Sequence, residues 1–172
     1  MRPRALFVLS VLAVGAAGCA TVEPAVPGDA PPPPATPGAA PLPVDGYDWF
    51  YSTDEDTARL AYGLAESDDL KLGLDCGRGT GRLEMVAIAE KGAKAEILVE
   101  SGGETGRFAA GSEPSQLNDG VILTAEASTA EPVFLRFRRV GWLALWRDGE
   151  REAYAPHPPS RPDIERFFAF CG

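Results

Sequence analysis

Residues 136–147 contain Arg136, Arg138, Arg139, Trp142, Trp146 and Arg147, the one stretch where cationic and aromatic side chains gather. A guanidinium carries a permanent charge and a planar fork of donors, and an indole offers a broad face. Together they suit an anionic lipid headgroup, a glycan or an acidic protein partner. Three arginines in four positions cannot all face a core, so some are exposed whether or not they bind. The competing account is a helix edge whose arginine stems cover apolar surface.

The residues that could catalyse are fewer. His157 is the chain's one histidine and sits between Pro156 and the pair Pro158-Pro159, where an exposed extended segment without a local partner is expected. A His-based triad or a Cys–His pair therefore lacks its parts, and no catalytic residue is assigned. Asp54-Glu55-Asp56 and Asp68-Asp69 are the carboxylate clusters. Their spacing matches no EF-hand loop, and turn and cap chemistry accounts for them, so no metal site is assigned. The run Gly77-Arg78-Gly79-Thr80-Gly81 has the glycine content of a phosphate-cradling loop. Such a loop must open a helix, whereas Leu83 to Ile88 reads as strand, so the run is a hairpin turn and no cofactor is expected.

These residues need elements to hold them. Leu70, Leu72, Leu74 and Cys76 alternate with polar or small neighbours, the period of a half-buried antiparallel strand that turns Cys76 inward. Leu83–Ile88, Lys94–Glu100, a short piece around Arg107–Ala109 and Val121–Glu126 read as further strands, and 111–120 as a polar loop. Tyr47–Tyr51 is a strand or an aromatic plug, and Thr57–Tyr62 is a strand or a short helix. Ser128 and Glu131 have capping-box spacing, Pro132 suits a first helical turn and Gly141 a helix end, which predicts a helix over Glu131–Arg139. Trp142, Ala144 and Trp146 share a strand face, and Asp148-Gly149 is a type I′ signature folding that strand onto Arg151–Tyr154. Ile164, Phe167, Phe168 and Cys171, behind Ser160 as N-cap, form the stripe of a C-terminal helix. The fold class is α+β, mainly antiparallel β: a small curled sheet, barrel or sandwich with one internal and one C-terminal helix.

The N-terminal end is of another kind. Arg2 and Arg4 precede an apolar run, Ala5–Val14, too short to span a bilayer, and Ala16-Ala17-Gly18-Cys19 follows. This order resembles the lipobox of bacterial lipoproteins, with Ala16 where Leu is usual. The resemblance implies a signal peptide over 1–18, cleavage before Cys19, a diacylglyceryl thioether on Cys19 and acylation, with a chain such as palmitate, of the new α-amine. Ala20 after the cysteine, rather than Asp, resembles the pattern of Gram-negative lipoproteins sorted to the outer membrane, facing the periplasm. With Cys19 given to lipid, Cys76 and Cys171 remain, both inward by periodicity. An even remainder in an exported chain suggests one disulfide.

Residues 19–44 form a Pro/Ala-rich tether. Composition of this kind favours extended polyproline II at about 3.1 Å per residue, a reach of roughly 80 Å. Residues 45–172 make one domain. Removing 1–18 takes away two of the 16 basic side chains and none of the 25 acidic ones, leaving 14 − 25 = −11, which argues against nucleic acid. Nearly all of the excess lies before residue 131, so the last quarter is where an anion is welcome. The expected function is a non-enzymatic binding or interaction module at the cell envelope, in contact with the membrane through its anchor and with an envelope protein or glycan. The alternatives are an envelope enzyme acting on glycan or lipid, and a structural subunit of an envelope complex.

Overall fold

A computed structural model describes residues 40–116 and 118–172. The expected signal peptide over 1–18, the expected lipidation at Cys19 and the expected tether up to residue 39 lie outside the described residues.

Ten strands and two helices follow one another as β1 (Tyr47–Thr53), β2 (Thr57–Leu64), β3 (Leu70–Gly77), β4 (Arg82–Ala89), β5 (Glu96–Ser101), β6 (Glu104–Ala109), β7 (Gly111–Pro114), β8 (Val121–Ser128), α1 (Pro132–Val140), β9 (Leu143–Arg147), β10 (Glu150–Tyr154) and α2 (Arg161–Cys171). The class is α+β with antiparallel pairing throughout. The strands form a six-stranded sheet ordered β1-β2-β3-β4-β8-β7 and a four-stranded sheet ordered β10-β9-β5-β6, which stay open rather than closing into a barrel.

The pleat sends alternate residues to opposite faces, and the inward set builds one core. Leu60, Leu72, Leu74, Met85 and Leu123 come from the larger sheet, Ile97, Val99, Leu143 and Leu145 from the smaller. Both helices cover this interior, α1 lying on β5 and β6 and α2 on β1, β2 and β3. Val133, Phe134 and Phe137 are the buried stripe of α1, and Ile164, Phe167, Phe168 and Cys171 that of α2, as the helical period requires. The Trp49 indole crosses between sheets to donate to the Tyr154 carbonyl at 3.1 Å.

Cys76 of β3 and Cys171 at the end of α2 form a disulfide with Cα atoms 5.7 Å apart, closing a separation of 95 residues. The helix end is tied down further, since the Gly79 and Gly81 amides donate to the Phe170 and Cys171 carbonyls at 2.9 and 2.8 Å. Among the described residues, both sheets, both helices, the bridge and the core all lie within residues 47–172, so this segment carries its own folding determinants.

Three expectations change. Residues 111–114 are not loop but an edge strand, made by pairing with β8 from Gly111↔Thr124 to Pro114↔Val121. The capping box over Ser128 does not form: Ser128 ends β8, Glu131 is the N-cap without a side-chain cap bond, and the Ser128 hydroxyl accepts the Ala130 amide instead. Ser160 does precede α2, but its hydroxyl donates to Asp48 rather than capping. Thr57–Tyr62, open between strand and helix, is strand because β1 and β3 pair with it on both sides. Asp148 and Gly149 have φ of 49° and 84°, the positive values a type I′ turn demands.

Candidate binding surfaces

The Arg and Trp stretch is dealt out to three places. Arg136, Arg138 and Arg139 sit on α1, which stops at Gly141, a left-handed residue (φ 82°) whose amide donates to the Phe137 carbonyl. With Val133, Phe134 and Phe137 inward, a rise of 100° per residue puts Leu135 and Arg139 on the crest facing solvent, with Arg136 and Arg138 on its flanks. Arg136 donates from Nε to the Gly102 carbonyl at 3.1 Å, close enough that a side chain on Gly102 would collide with it. Arg138 pairs with Glu165 of α2 at 2.9 Å. Arg161, at the first position of α2, lies against Gly141, its guanidinium carbon 3.3 Å from where a Cβ would stand. Among the described residues, Arg136, Arg139 and Arg161 make no ion pair.

Trp142 and Trp146 occupy the face of the four-stranded sheet turned away from the main core. Trp142 packs with Ala144 and Ala155 as a small separate cluster. Over it lies the Arg151 guanidinium, 5.1 Å from the ring centroid and 2.6 Å from a Glu100 oxygen. Glu100 is 1% exposed, and its other oxygen accepts the Gly103 amide at 3.1 Å. The register explains the meeting: Glu100 pairs with Ala144, and Arg151 with Trp146 on the same face. Arg151 and Glu100 were not singled out from sequence. Glu100 alternates with Val99 as a solvent-facing residue would, and only its cross-strand neighbours bury it. Trp146 is half-buried, and its Nε1 has no hydrogen-bond partner among the described residues.

Arg147 projects from the opposite side of β9. Its guanidinium donates to the Ile88 carbonyl at 2.8 Å, to the Tyr154 hydroxyl at 3.2 Å and to Glu152. It thereby stitches the two sheets at one end, where Tyr47, Asp69, Lys71 and Tyr62 also gather. Asp69 accepts from the Tyr47 hydroxyl and from Lys71 Nζ at 2.9 Å. These bonds hold the Asp69 carboxyl below its ordinary range, the Tyr47 contact contributing most, and the hydrogen bond to Asp69, followed by its negative charge, raises Lys71 against the effect of burial. Hydrogen bonding to Asp69 raises Tyr47. Burial, reinforced by Asp48 and Glu152, pushes the Tyr62 phenol up to about 12, and burial raises Tyr154 further still.

The remaining candidates have structural partners. Asp54 builds the β1–β2 turn, accepting the Asp56 and Thr57 amides at 3.0 and 2.8 Å and the Thr57 hydroxyl at 2.9 Å. These bonds, the Thr57 amide first, lower its carboxyl. His157 is half-buried rather than solvated and has partners after all. Its main-chain amide donates to Asp48 at 3.1 Å, and its Nε2 lies 3.2 Å from the Val44 carbonyl. Asp48 also accepts the Ser160 hydroxyl. Serine, histidine and aspartate thus meet, but the carboxylate holds the histidine's main chain and not its ring, so the assembly latches the segment before α2 and lacks the base–orienter bond of a triad. Asp75, Glu84 and Glu126 edge an open cleft of about 360 Å³ together with Thr57, Gly77 and Arg82. Arg59 pairs with Asp75 at 2.9 Å and Arg82 with Glu126 at 3.2 Å. No group of three His, Cys, Asp or Glu among the described residues could hold a metal ion.

No protein-family model, no curated protein and no solved structure matches the chain.

Proposed function

We propose that the chain is a lipid-anchored periplasmic protein of a Gram-negative outer membrane, and that its domain is a non-enzymatic module binding an envelope component. The Cys76–Cys171 bridge is the observation that carries this reading. A bridge between core cysteines belongs to an oxidising compartment, which agrees with an export signal. It also uses two of the chain's three cysteines, leaving Cys19 to take a lipid. The binding role rests on surface chemistry: Arg136 and Arg139 of α1 and Arg161 at the start of α2 have no carboxylate partner among the described residues.

Expression of the full chain and of Cys19→Ser in a Gram-negative host tests the anchor. The native chain is expected in the outer-membrane fraction, beginning at Cys19 and heavier by the acyl groups. The variant is expected to appear as a soluble periplasmic protein or an uncleaved precursor. Equal mass and equal fractionation of the two would overturn the anchor. For the binding role, residues 40–172 immobilised and offered detergent-solubilised envelope should enrich one component, and an Arg136→Ala/Arg138→Ala/Arg139→Ala control should lose it.

A further inference from the structure

We propose that the crest of α1 with the adjoining N-terminus of α2 is a docking surface for anionic phospholipid headgroups, by which the domain lies against the membrane instead of hanging from its tether. This deepens the reading above and rests on it only in having a membrane within reach.

Leu135 is 56% exposed, more than any other large apolar side chain from β1 onward among the described residues. It stands on the crest of a helix that, beyond its first residue Pro132, surrounds it with cations: Arg139 one turn on, the half-buried Arg136 and the exposed Arg138 on the flanks, and Arg161 against the helix end. The macrodipole accounts for arginines in the last turn. It does not account for a leucine raised among them, nor for Arg136, Arg139 and Arg161 having no carboxylate among the described residues in a chain whose acidic side chains outnumber its basic ones by 25 to 16. An apolar knob ringed by guanidinium groups is the pattern of a helix lying in the headgroup region, the leucine between acyl chains and the arginines on phosphates. The surface is the crest of one nine-residue helix. A protein partner of ordinary affinity needs roughly 800 Å² of complementary surface on each side, whereas a fluid headgroup layer closes around a single helix. The two carboxylates within α1 and α2 are paired, Glu165 with Arg138 and Asp163 with Arg166, and repulsion from the acidic side chains of other elements is screened beyond about 8 Å at physiological salt. Each arginine near an anionic surface strengthens binding about fivefold. The three unpaired ones together give roughly a hundredfold, a modest affinity that becomes effective once an anchor holds the domain nearby.

The test uses residues 40–172, which need no anchor, so its failure is separate from a failure of lipidation at Cys19. The isotopically labelled domain is titrated with vesicles of phosphatidylglycerol and phosphatidylcholine in equal parts, and with phosphatidylcholine alone, at 0.1 M and 0.5 M NaCl. Expected are amide perturbations confined to 132–141 and the region of Arg161, present only with the anionic vesicles and lost at high salt. Partition should fall roughly a hundredfold in Arg136→Ala/Arg139→Ala/Arg161→Ala, and severalfold in Leu135→Ser, which keeps every charge. Unchanged melting confirms that both variants are folded. Absence of binding, a footprint on another face, or binding indifferent to either variant would overturn the proposal. So would a crest silent toward vesicles yet occupied by an acidic protein.

Discussion

Replacing Tyr62 by Phe should make the protein more stable, although it deletes a polar group from the middle of an aromatic cluster. Tyr62 is 2% exposed and stacks on Tyr154 at 4.5 Å and against Trp49 at 5.3 Å, contacts that a phenyl ring keeps. Its hydroxyl is buried with no hydrogen-bond partner among the described residues. Such a group costs about 1–3 kcal/mol of desolvation that nothing returns. Removing it is expected to stabilise by about 1 kcal/mol, a rise in Tm of roughly 4 °C for a domain of this size. The pH dependence sharpens the test. Burial raises the phenol from 10.0 to about 12. Because the folded value lies above the unfolded one, the neutral phenol's contribution is intact below pH 10 and is lost as pH climbs through 12. At pH 11 the native protein should therefore have lost about 1 kcal/mol that Tyr62→Phe cannot lose. Urea unfolding of both proteins at pH 7 and pH 11 measures this: the variant should lead at pH 7 and lead by more at pH 11. Tyr154→Phe is the counterpart, since its hydroxyl accepts from Arg147 at 3.2 Å and donates to Glu152 at 3.1 Å. It should cost about 1 kcal/mol. A Tyr62→Phe protein less stable than the native one at pH 7, or a gap that fails to widen, would refute the reasoning.

Further outcomes follow from the same geometry. Arg151→Ala strands the carboxylate of Glu100, and should cost about 3 kcal/mol in urea unfolding. Glu100→Gln should cost less, because Arg151 is 30% exposed and can turn to water; equal costs would mean that the pair is not buried as described. Cys76→Ser/Cys171→Ser opens a 95-residue closure and should lower the unfolding free energy by about 4 kcal/mol, with a matching loss when the native protein is reduced. Asp48→Ala removes the acceptor of the His157 amide and the Ser160 hydroxyl and should cost about 2 kcal/mol. Its signature is faster amide exchange at His157 while the centre of β3 stays protected; uniform loss of protection would refute a local latch.

Much of the scaffold was legible because its signals are local. The alternation Leu70, Leu72, Leu74, Cys76 and the helical spacing Ile164, Phe167, Phe168, Cys171 each mark an inward face from neighbours alone, so both cysteines pointed inward before any pairing was known. The strands β3, β4, β5 and β8, the hairpin at Asp148-Gly149 and α2 follow from periods of two and 3.6 with turn residues between them, and α1 from Pro132 and Gly141 at its two ends. The chemical character of residues 136–147 was equally plain, since charge and aromaticity are properties of residue types.

Tertiary structure decided what depends on the partner across a strand or a layer. Gly111–Pro114 has no strand propensity of its own and becomes one because β8 offers an unpaired edge. Glu100 is buried, and meets Arg151, through cross-strand register between segments about fifty residues apart, where alternation alone marked Glu100 as solvent-facing. The helical period placed Arg136, Arg138 and Arg139 on one element but could not say that Arg138 would meet Glu165, that Arg136 would rest on Gly102, or that Arg161 would join them at Gly141. Sequence fixes which groups are present and which way each leans from its own backbone. The folded chain alone determines which of them meet, because charge pairing and burial arise from distances that close only when remote segments pack.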